Sequence, residues 1–551
     1  MTYDPDPRYP AVGGEVDLGL HPLVAEVEER RARVVALDGP PAVAWERLVE
    51  PLAARLGATT IDVRRSFAPW HEILRRTAGS DLPGDPVFAR LADGSLGDLL
   101  DELPKAPDGR ALVFGPGAAL VEHDLLWYAD VPKRLSHAAL ACGASGNLGQ
   151  PPGERGSETR LVFVDRPLLD RHKQALLPSL DRLLDPADAG EVRSLAGEAL
   201  RATLRDLSGR PFRTRPGFLP GPWGGQWLRR KLGIETDAPN LAWSYELITP
   251  ESGILVGGDA PLEVGFELLM AQEAGRVLGK DVAARFGMSF PIRFDYLATL
   301  EGGHLSLQCH PRAAYAREVF GLDYTQDETY YVMETTPGAP VFLGLREDAD
   351  LDAFREAAEA AEEGVELDHE RFVQTHEAEA HRLYLIPAGT AHASGAGNVV
   401  LEISATPYLY TLRFYDWLRR DLEGRLRPVH VRHAFANVDP RRRGSGLAEL
   451  MPEPRVVRDG PGFAELELGR HPDLFFVVRR LELDERIEDA TGGRFHVLNL
   501  VDGDEVELTT GRGDVHRLSY GETIVVPAAV GDYSVRRVSG PPCKLVKALV
   551  P

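Results

Sequence analysis

Short apolar runs alternate with amphipathic stretches through the first 210 residues. The runs VVALDG, TTIDV, ALVFG and RLVFVD are rich in β-branched residues, and between them lie helical stretches such as WERLVEPLAARL. That rhythm predicts βαβ units and a parallel sheet. The passage SGRPFRTRPGFLPGPWGG then breaks the pattern with clustered Pro and Gly, which places a linker near residues 208 to 222.

From about 240 to 335, and again from 382 to 415, the apolar runs are short and strand-like (SLQCH, YYVME, LYLIP, VVLEI) with Gly and Pro between them. This is the vocabulary of a β-barrel. Between the two stretches the sequence is rich in Ala and Glu, with Phe354, Ala358 and Ala361 at helical spacing, so a helical insertion is expected over about 347–381. The last segment, 428–551, carries short strands divided by Asp-Gly and Gly-Glu turns and predicts a second, smaller β-barrel. The expected class is therefore multidomain: an α/β parallel-sheet domain over 1–210, a barrel domain over 216–427 and a smaller barrel over 428–551.

Length agrees, because 551 residues exceed what one core can bury. A net charge of -22 repels nucleic acid and anionic membranes, so neither is an expected partner, and an anionic substrate needs a local basic pocket. Cys142, Cys309 and Cys543 are odd in number and far apart, which argues against a disulfide framework and fits a reducing cytoplasm. The N-terminus MTYDPDPRYP lacks the pattern of a secretory signal, and no window has the roughly 18 apolar residues that span a bilayer.

The chemistry concentrates in the first barrel. In LSLQCHP, Gln308 and His310 lie two apart on a strand, so both side chains leave the same face, while Cys309 points the other way into packing. Glu328 opens the strand ETYYVME, and His392 follows the turn Pro387-x-Gly389-x-x-His392. Two imidazoles, a carboxylate and an amide oxygen suit one Zn2+ per chain or a similar borderline divalent ion, with iron, manganese or cobalt as alternatives.

The spacing of Gly302, Gln308-x-His310 and Pro387-x-Gly389-x-x-His392 resembles the two cupin motifs with glutamine in place of the first histidine, as in type I mannose-6-phosphate isomerases. The resemblance runs across about 216–551: PWGGQWLRRKLG, LAWSYELI, LSLQCHP, ETYYVMETTPGAPVFLGLR and TLRFYDW are similar to that family's segments in the same order. It implies cupin barrels, metal ligation by Gln308, His310, Glu328 and His392, and Arg413 as the catalytic arginine. Glu402 in VLEISAT matches a glutamate after the metal histidine and is the candidate general base. Two alternatives stand beside these roles: Glu402 as a partner of a metal histidine, and Arg413 in a buried ion pair with Asp416.

The segment departs from the family where Gln326 and Asp327 precede Glu328 and where Arg312 stands in place of aspartate. Arg312, Arg346 or Lys231 could supply charge to a sugar phosphate. Trp223, Tyr245 and Trp417 read as core aromatics.

VVALDGPPAVAWERLVEPLA is similar to the first strand, loop and helix of a nucleoside or uridine kinase, but Gly39 is followed by Ala44, Trp45 and Glu46 where a P-loop needs Gly, Lys and Ser or Thr. The N-terminal domain is thus expected to be a degenerate, kinase-like P-loop domain. The expected function is metal-dependent isomerisation of a hexose 6-phosphate, mannose 6-phosphate to fructose 6-phosphate, with a non-catalytic sugar-phosphate sensor as the alternative.

Overall fold

The computed structural model of the chain describes residues 2–105, 107–186, 191–249, 251–405, 410–420 and 424–551. They fall into two compact units, one formed by Arg8–Leu207 with Gly253–Glu273 and the other by Met1–Pro7, Ser208–Ser252 and Ala274–Pro551.

In the first of these, a seven-stranded sheet runs in the order Asp17–Leu18, Arg193–Ala196, Arg182–Asp185, Leu125–Ala129, Val34–Asp38, Ala111–Phe114, Thr59–Asp62. The five strands from Arg182–Asp185 to Thr59–Asp62 are parallel; Arg193–Ala196 pairs antiparallel with Arg182–Asp185, and Asp17–Leu18 antiparallel with Arg193–Ala196. The helix Trp45–Leu56 buries Trp45, Leu48, Leu52 and Leu56 against Leu37, Leu112 and Trp127 of the sheet. RLVFVD is not a strand: Ser157 caps a helical turn by accepting from the Arg160 amide, and the backbone stays helical through Asp165 into Arg166–Leu176. Its valines favour a strand locally, but Leu161, Phe163 and Val164 all find burial as a helix face. The strands Gly253–Val256 and Leu262–Gly265, expected with the barrel, belong to this unit, where Gly253–Val256 pairs in parallel with Arg8–Tyr9.

The other unit holds four antiparallel sheets. Six strands run in the order Leu383–Ile386, Glu328–Thr335, Asn398–Ala405, Ile292–Ala298, Trp243–Leu247, Gly217–Leu219; five run in the order Val373–Glu377, Pro340–Leu345, His392–Ser394, Leu307–Cys309, Leu412–Tyr415. Towards the C-terminus a six-stranded and a four-stranded sheet enclose Leu481, Leu498, Leu508, Val535 and Leu545. The insertion contains one α-helix, Leu351–Glu362, whose first amides are capped by the Asp350 carboxylate and whose Phe354, Ala358 and Ala361 are buried, and a single 3-10 turn at His369–Arg371. The helix does not extend to 381, because Gly364 turns the chain at φ 88° and Val373–Glu377 joins the five-stranded sheet. Among the described residues no helix is long and apolar enough to cross a membrane.

Candidate metal centre and its buried charges

Strand register gathers the site. Gln308 lies opposite His392 in adjacent strands, and His310 follows at the end of its strand. Glu328 approaches from the six-stranded sheet, where it opens its strand opposite Ser404. Ligand atoms of His310, Glu328 and His392 lie within 4.8 Å of one another, and all three residues are buried. His310 Nε2 is 2.5 Å from Glu328 Oε2, and His392 Nε2 is 3.7 Å from Glu328 Oε1. The Gln308 amide stands 3.4 Å from His392 Nε2.

Two glycines make this possible. A Cβ on Gly302 would collide with the Trp223 carbonyl oxygen, so the turn entering the Gln308 strand can seat there only as glycine. Gly389 adopts φ 87° in the turn before His392, and a Cβ there would sit 2.6 Å from the Asn437 carbonyl oxygen.

The donor set fits a borderline divalent cation. His392 Nδ1 lies 2.8 Å from the Thr390 carbonyl oxygen and His310 Nδ1 lies 3.4 Å from that of Tyr410, which leaves Nε2 of each ring facing Glu328. Burial pushes His310 down to about 3 and His392 down to about 4, so both are neutral imidazoles. Burial also raises the Glu328 carboxyl, against the pull of His392 and Arg293. Glu328 Oε1, beside the Tyr330 hydroxyl, makes no hydrogen bond of standard geometry. A buried carboxylate oxygen without a hydrogen bond of standard geometry, 3.7 Å from a neutral imidazole, is what a cation would satisfy.

Around this set lies a network that sequence reasoning captured only in part. Glu402 is 2.7 Å from Arg293 Nη2, and its Oε1 accepts from Ser404 Oγ at 2.8 Å and from Gln326 Nε2 at 3.4 Å. Gln326 also reaches Glu328 Oε2 at 3.4 Å, linking the two glutamates. Burial pushes Glu402 up to about 7, with Arg293 opposing and Glu328 adding to the rise. Arg293 and Asp295 were not anticipated as site residues. Their signal is two charged residues at alternate positions of the otherwise apolar strand Ile292–Ala298, every residue of which is buried.

Arg413 lies opposite Gln308, its Nη1 on the Pro428 carbonyl oxygen at 3.0 Å and 3.8 Å from Asp416 Oδ2. Asp416 is held more closely by Arg419 at 2.8 Å and Arg427 at 2.5 Å. Burial and the neighbouring Arg427 pull Arg413 down to about 10, so it remains a cation at neutral pH. Arg312 is exposed in the turn after His310 and donates to the Ala436 carbonyl oxygen at 3.1 Å. Lys231 pairs instead with Glu334 at 3.3 Å and Arg346 with Asp348 at 3.4 Å. The thiol of Cys309 packs on the Ala434 carbonyl oxygen, Trp223 is buried at 2% exposure, and Tyr245 and Trp417 are half-buried.

Comparison with known proteins falls into two parts. Residues 19–209 match the family model described as Domain of unknown function (DUF8485). The chain is 27% identical over 216 residues to the mannose-6-phosphate isomerase of Streptococcus mutans, covering 39% of this chain and 63% of that enzyme. It is 22% identical over 328 residues to the putative mannose-6-phosphate isomerase YvyI of Bacillus subtilis, covering 59% of this chain and 96% of that protein. The crystal structure of a Bacillus subtilis mannose 6-phosphate isomerase superposes with a TM-score of 0.51 at 19% identity, over 62% of this chain and 99% of that one. Homology to proteins named mannose-6-phosphate isomerase thus extends over about 40–60% of the chain, with the fold of the Bacillus subtilis enzyme.

Proposed function

We propose that this chain is a metal-dependent aldose–ketose isomerase acting on a hexose 6-phosphate, with mannose 6-phosphate and fructose 6-phosphate as the preferred pair. The observation that carries the reading is the buried cluster of His310, Glu328 and His392 with Glu402 linked to it through Gln326. The naming of the homologues supports it.

Gln308, His310, Glu328 and His392 would hold a zinc ion, which when bound acts as a Lewis acid toward a sugar oxygen. The proton chemistry belongs to Glu402. Its carboxylate takes the proton from C2 of the aldose, the C–H electron pair forms the C1=C2 bond of an enediol as the C1=O π pair moves onto O1, and the carboxylic acid then returns the proton to C1 as C1=C2 breaks and the O2 pair forms C2=O. A hydroxyl proton passes from O2 to O1, so atoms and charge balance. With its proton affinity raised to about 7, Glu402 is matched to both halves of this exchange at neutral pH. Arg413, a cation, would stabilise negative charge on the sugar oxygens. Arg312, the exposed cation in the turn that follows His310, is our choice for the phosphate contact.

The test is His310→Ala. Zinc measured by mass spectrometry should fall from one per chain to near none, together with conversion of any aldose 6-phosphate to its ketose. Full zinc in that variant, or an inactive zinc-replete wild type, would overturn the reading.

A second reading, a non-catalytic sugar-phosphate sensor, draws on the N-terminal unit. We read that unit as a kinase-like domain that has lost its nucleotide. Asp38, at the end of the central strand, accepts from the amides of Gly39 at 2.7 Å, Gly117 at 3.2 Å and Ala119 at 2.8 Å, donors that an anion would otherwise use. Trp45 is buried against Gly39, with a ring carbon 3.3 Å from where a Cβ would stand. Stoichiometric sugar-phosphate binding without turnover would favour the sensor. The free cysteines fit a reducing compartment, and we place the protein in the cytoplasm.

A further inference from the structure

Glu402 and Glu328 belong to a lattice of polar side chains set by register across three antiparallel strands. Glu328, Ser404 and Arg293 stand opposite one another in one row, and Tyr330, Glu402 and Asp295 in the next. The side chains of Arg293, Glu402 and Asp295 are 7%, 5% and 0% exposed, so water screens none of them. Arg293 Nη2 lies 2.7 Å from Glu402 Oε1, and its Nε and Nη2 lie 3.1 and 3.4 Å from the two oxygens of Asp295.

We infer that Arg293 is a positioning residue of the site: it aims Glu402 at the substrate. The described hydrogen bonds to Glu402, from Arg293, Ser404 and Gln326, all fall on Oε1. Oε2 is the oxygen left to exchange the proton. A guanidinium suits this task because its planar fork fixes two carboxylates at once: Asp295 orients the fork from one side, and the fork orients Glu402 from the other. A simple structural pair needs only Asp295 to balance Arg293. The closer contact is instead to the residue assigned the chemistry, 2.7 Å to Glu402 against 3.1 Å to Asp295.

The inference rests on the isomerase reading, and its test separates the two. Zinc-loaded wild type, Arg293→Lys and Arg293→Met are compared for zinc content, kcat, KM and crystal structure. Arg293→Met should lower kcat by roughly 10²-fold with KM within about 3-fold and zinc unchanged, and Arg293→Lys should recover roughly 10-fold of that loss by keeping the charge without the fork. In the Arg293→Met structure the Glu402 carboxylate should leave its place. Wild-type kcat in both variants, or Glu402 unmoved in Arg293→Met, overturns the inference. If the methionine variant does not fold, Arg293→Lys decides: a roughly 10-fold fall in kcat at full zinc supports the role, and wild-type kcat refutes it. If wild type turns over no aldose phosphate, the isomerase reading fails and the position of Glu402 alone settles whether Arg293 aims it.

Discussion

Replacing Glu402 by Gln separates the two roles open to this residue. The amide oxygen can keep the place of Oε1, where Arg293, Ser404 and Gln326 donate, so the side chain should stay put. What is lost is the acceptor on the other branch, now an NH2 group. A general base contributes about 10²- to 10⁴-fold, or about 3–5 kcal/mol of barrier, so kcat should fall by that factor while KM changes little. The stability cost should be about 1–2 kcal/mol rather than the ~3–5 kcal/mol of a broken buried pair, because Asp295 stays 3.1 Å from Arg293 Nε. The assay is coupled detection of the ketose phosphate at saturating substrate, with zinc measured on the same sample. A kcat within about 3-fold of wild type refutes the assignment of Glu402 as the base. Zinc lost in step with activity would instead make Glu402 a support for the metal residues.

The fold and the N-terminal unit give further expectations. Phe354 is fully buried and packs on Phe372, Phe414 and Phe435 at 4.9, 5.2 and 5.0 Å, so Phe354→Ala should destabilise by about 3–5 kcal/mol in denaturant melts, and a loss under 1 kcal/mol would contradict the packing. Burial holds His496 down at about 4, below its ordinary 6.5. The unfolded chain therefore takes up a proton that the folded chain refuses, and stability should be lost as pH falls from about 6.5 to about 4. Thermal melts should show this acid slope, and His496→Gln should flatten it; an unchanged slope would remove His496 as a cause. With Asp38 on the loop amides and Trp45 against Gly39, calorimetry with ATP, GTP and UTP should show no heat of binding. A saturable heat would mean that a nucleotide site survives.

Local pattern carried much of the barrel and little of its charge network. The two-residue spacing of Gln308 and His310 needs only strand periodicity, and the turn before His392 is marked by Gly389, which the backbone requires at φ 87°. Arg293 and Asp295 leave a sequence signal that reads two ways. Alternate charges on a strand read as a solvent face, and only pairing with Glu402, more than a hundred residues later, turns that face inward. RLVFVD misleads because β-branched residues favour a strand until Ser157 starts a helix before them. The place of Gly253–Glu273 depends on pairing with Arg8–Tyr9, a contact of such sequence separation that no local signal announces it.

The central claim is proton exchange at one carboxylate beside a bound metal, and NMR of mannose 6-phosphate incubated in D2O tests it most directly. Zinc-loaded protein should yield fructose 6-phosphate whose C1 carries the proton taken from C2, with solvent deuterium there only in turnovers in which the Glu402 acid exchanges before returning it, and chelator-stripped protein should yield no product until zinc is restored. Fructose 6-phosphate formed equally fast after stripping, or no product from zinc-replete protein, would contradict the account.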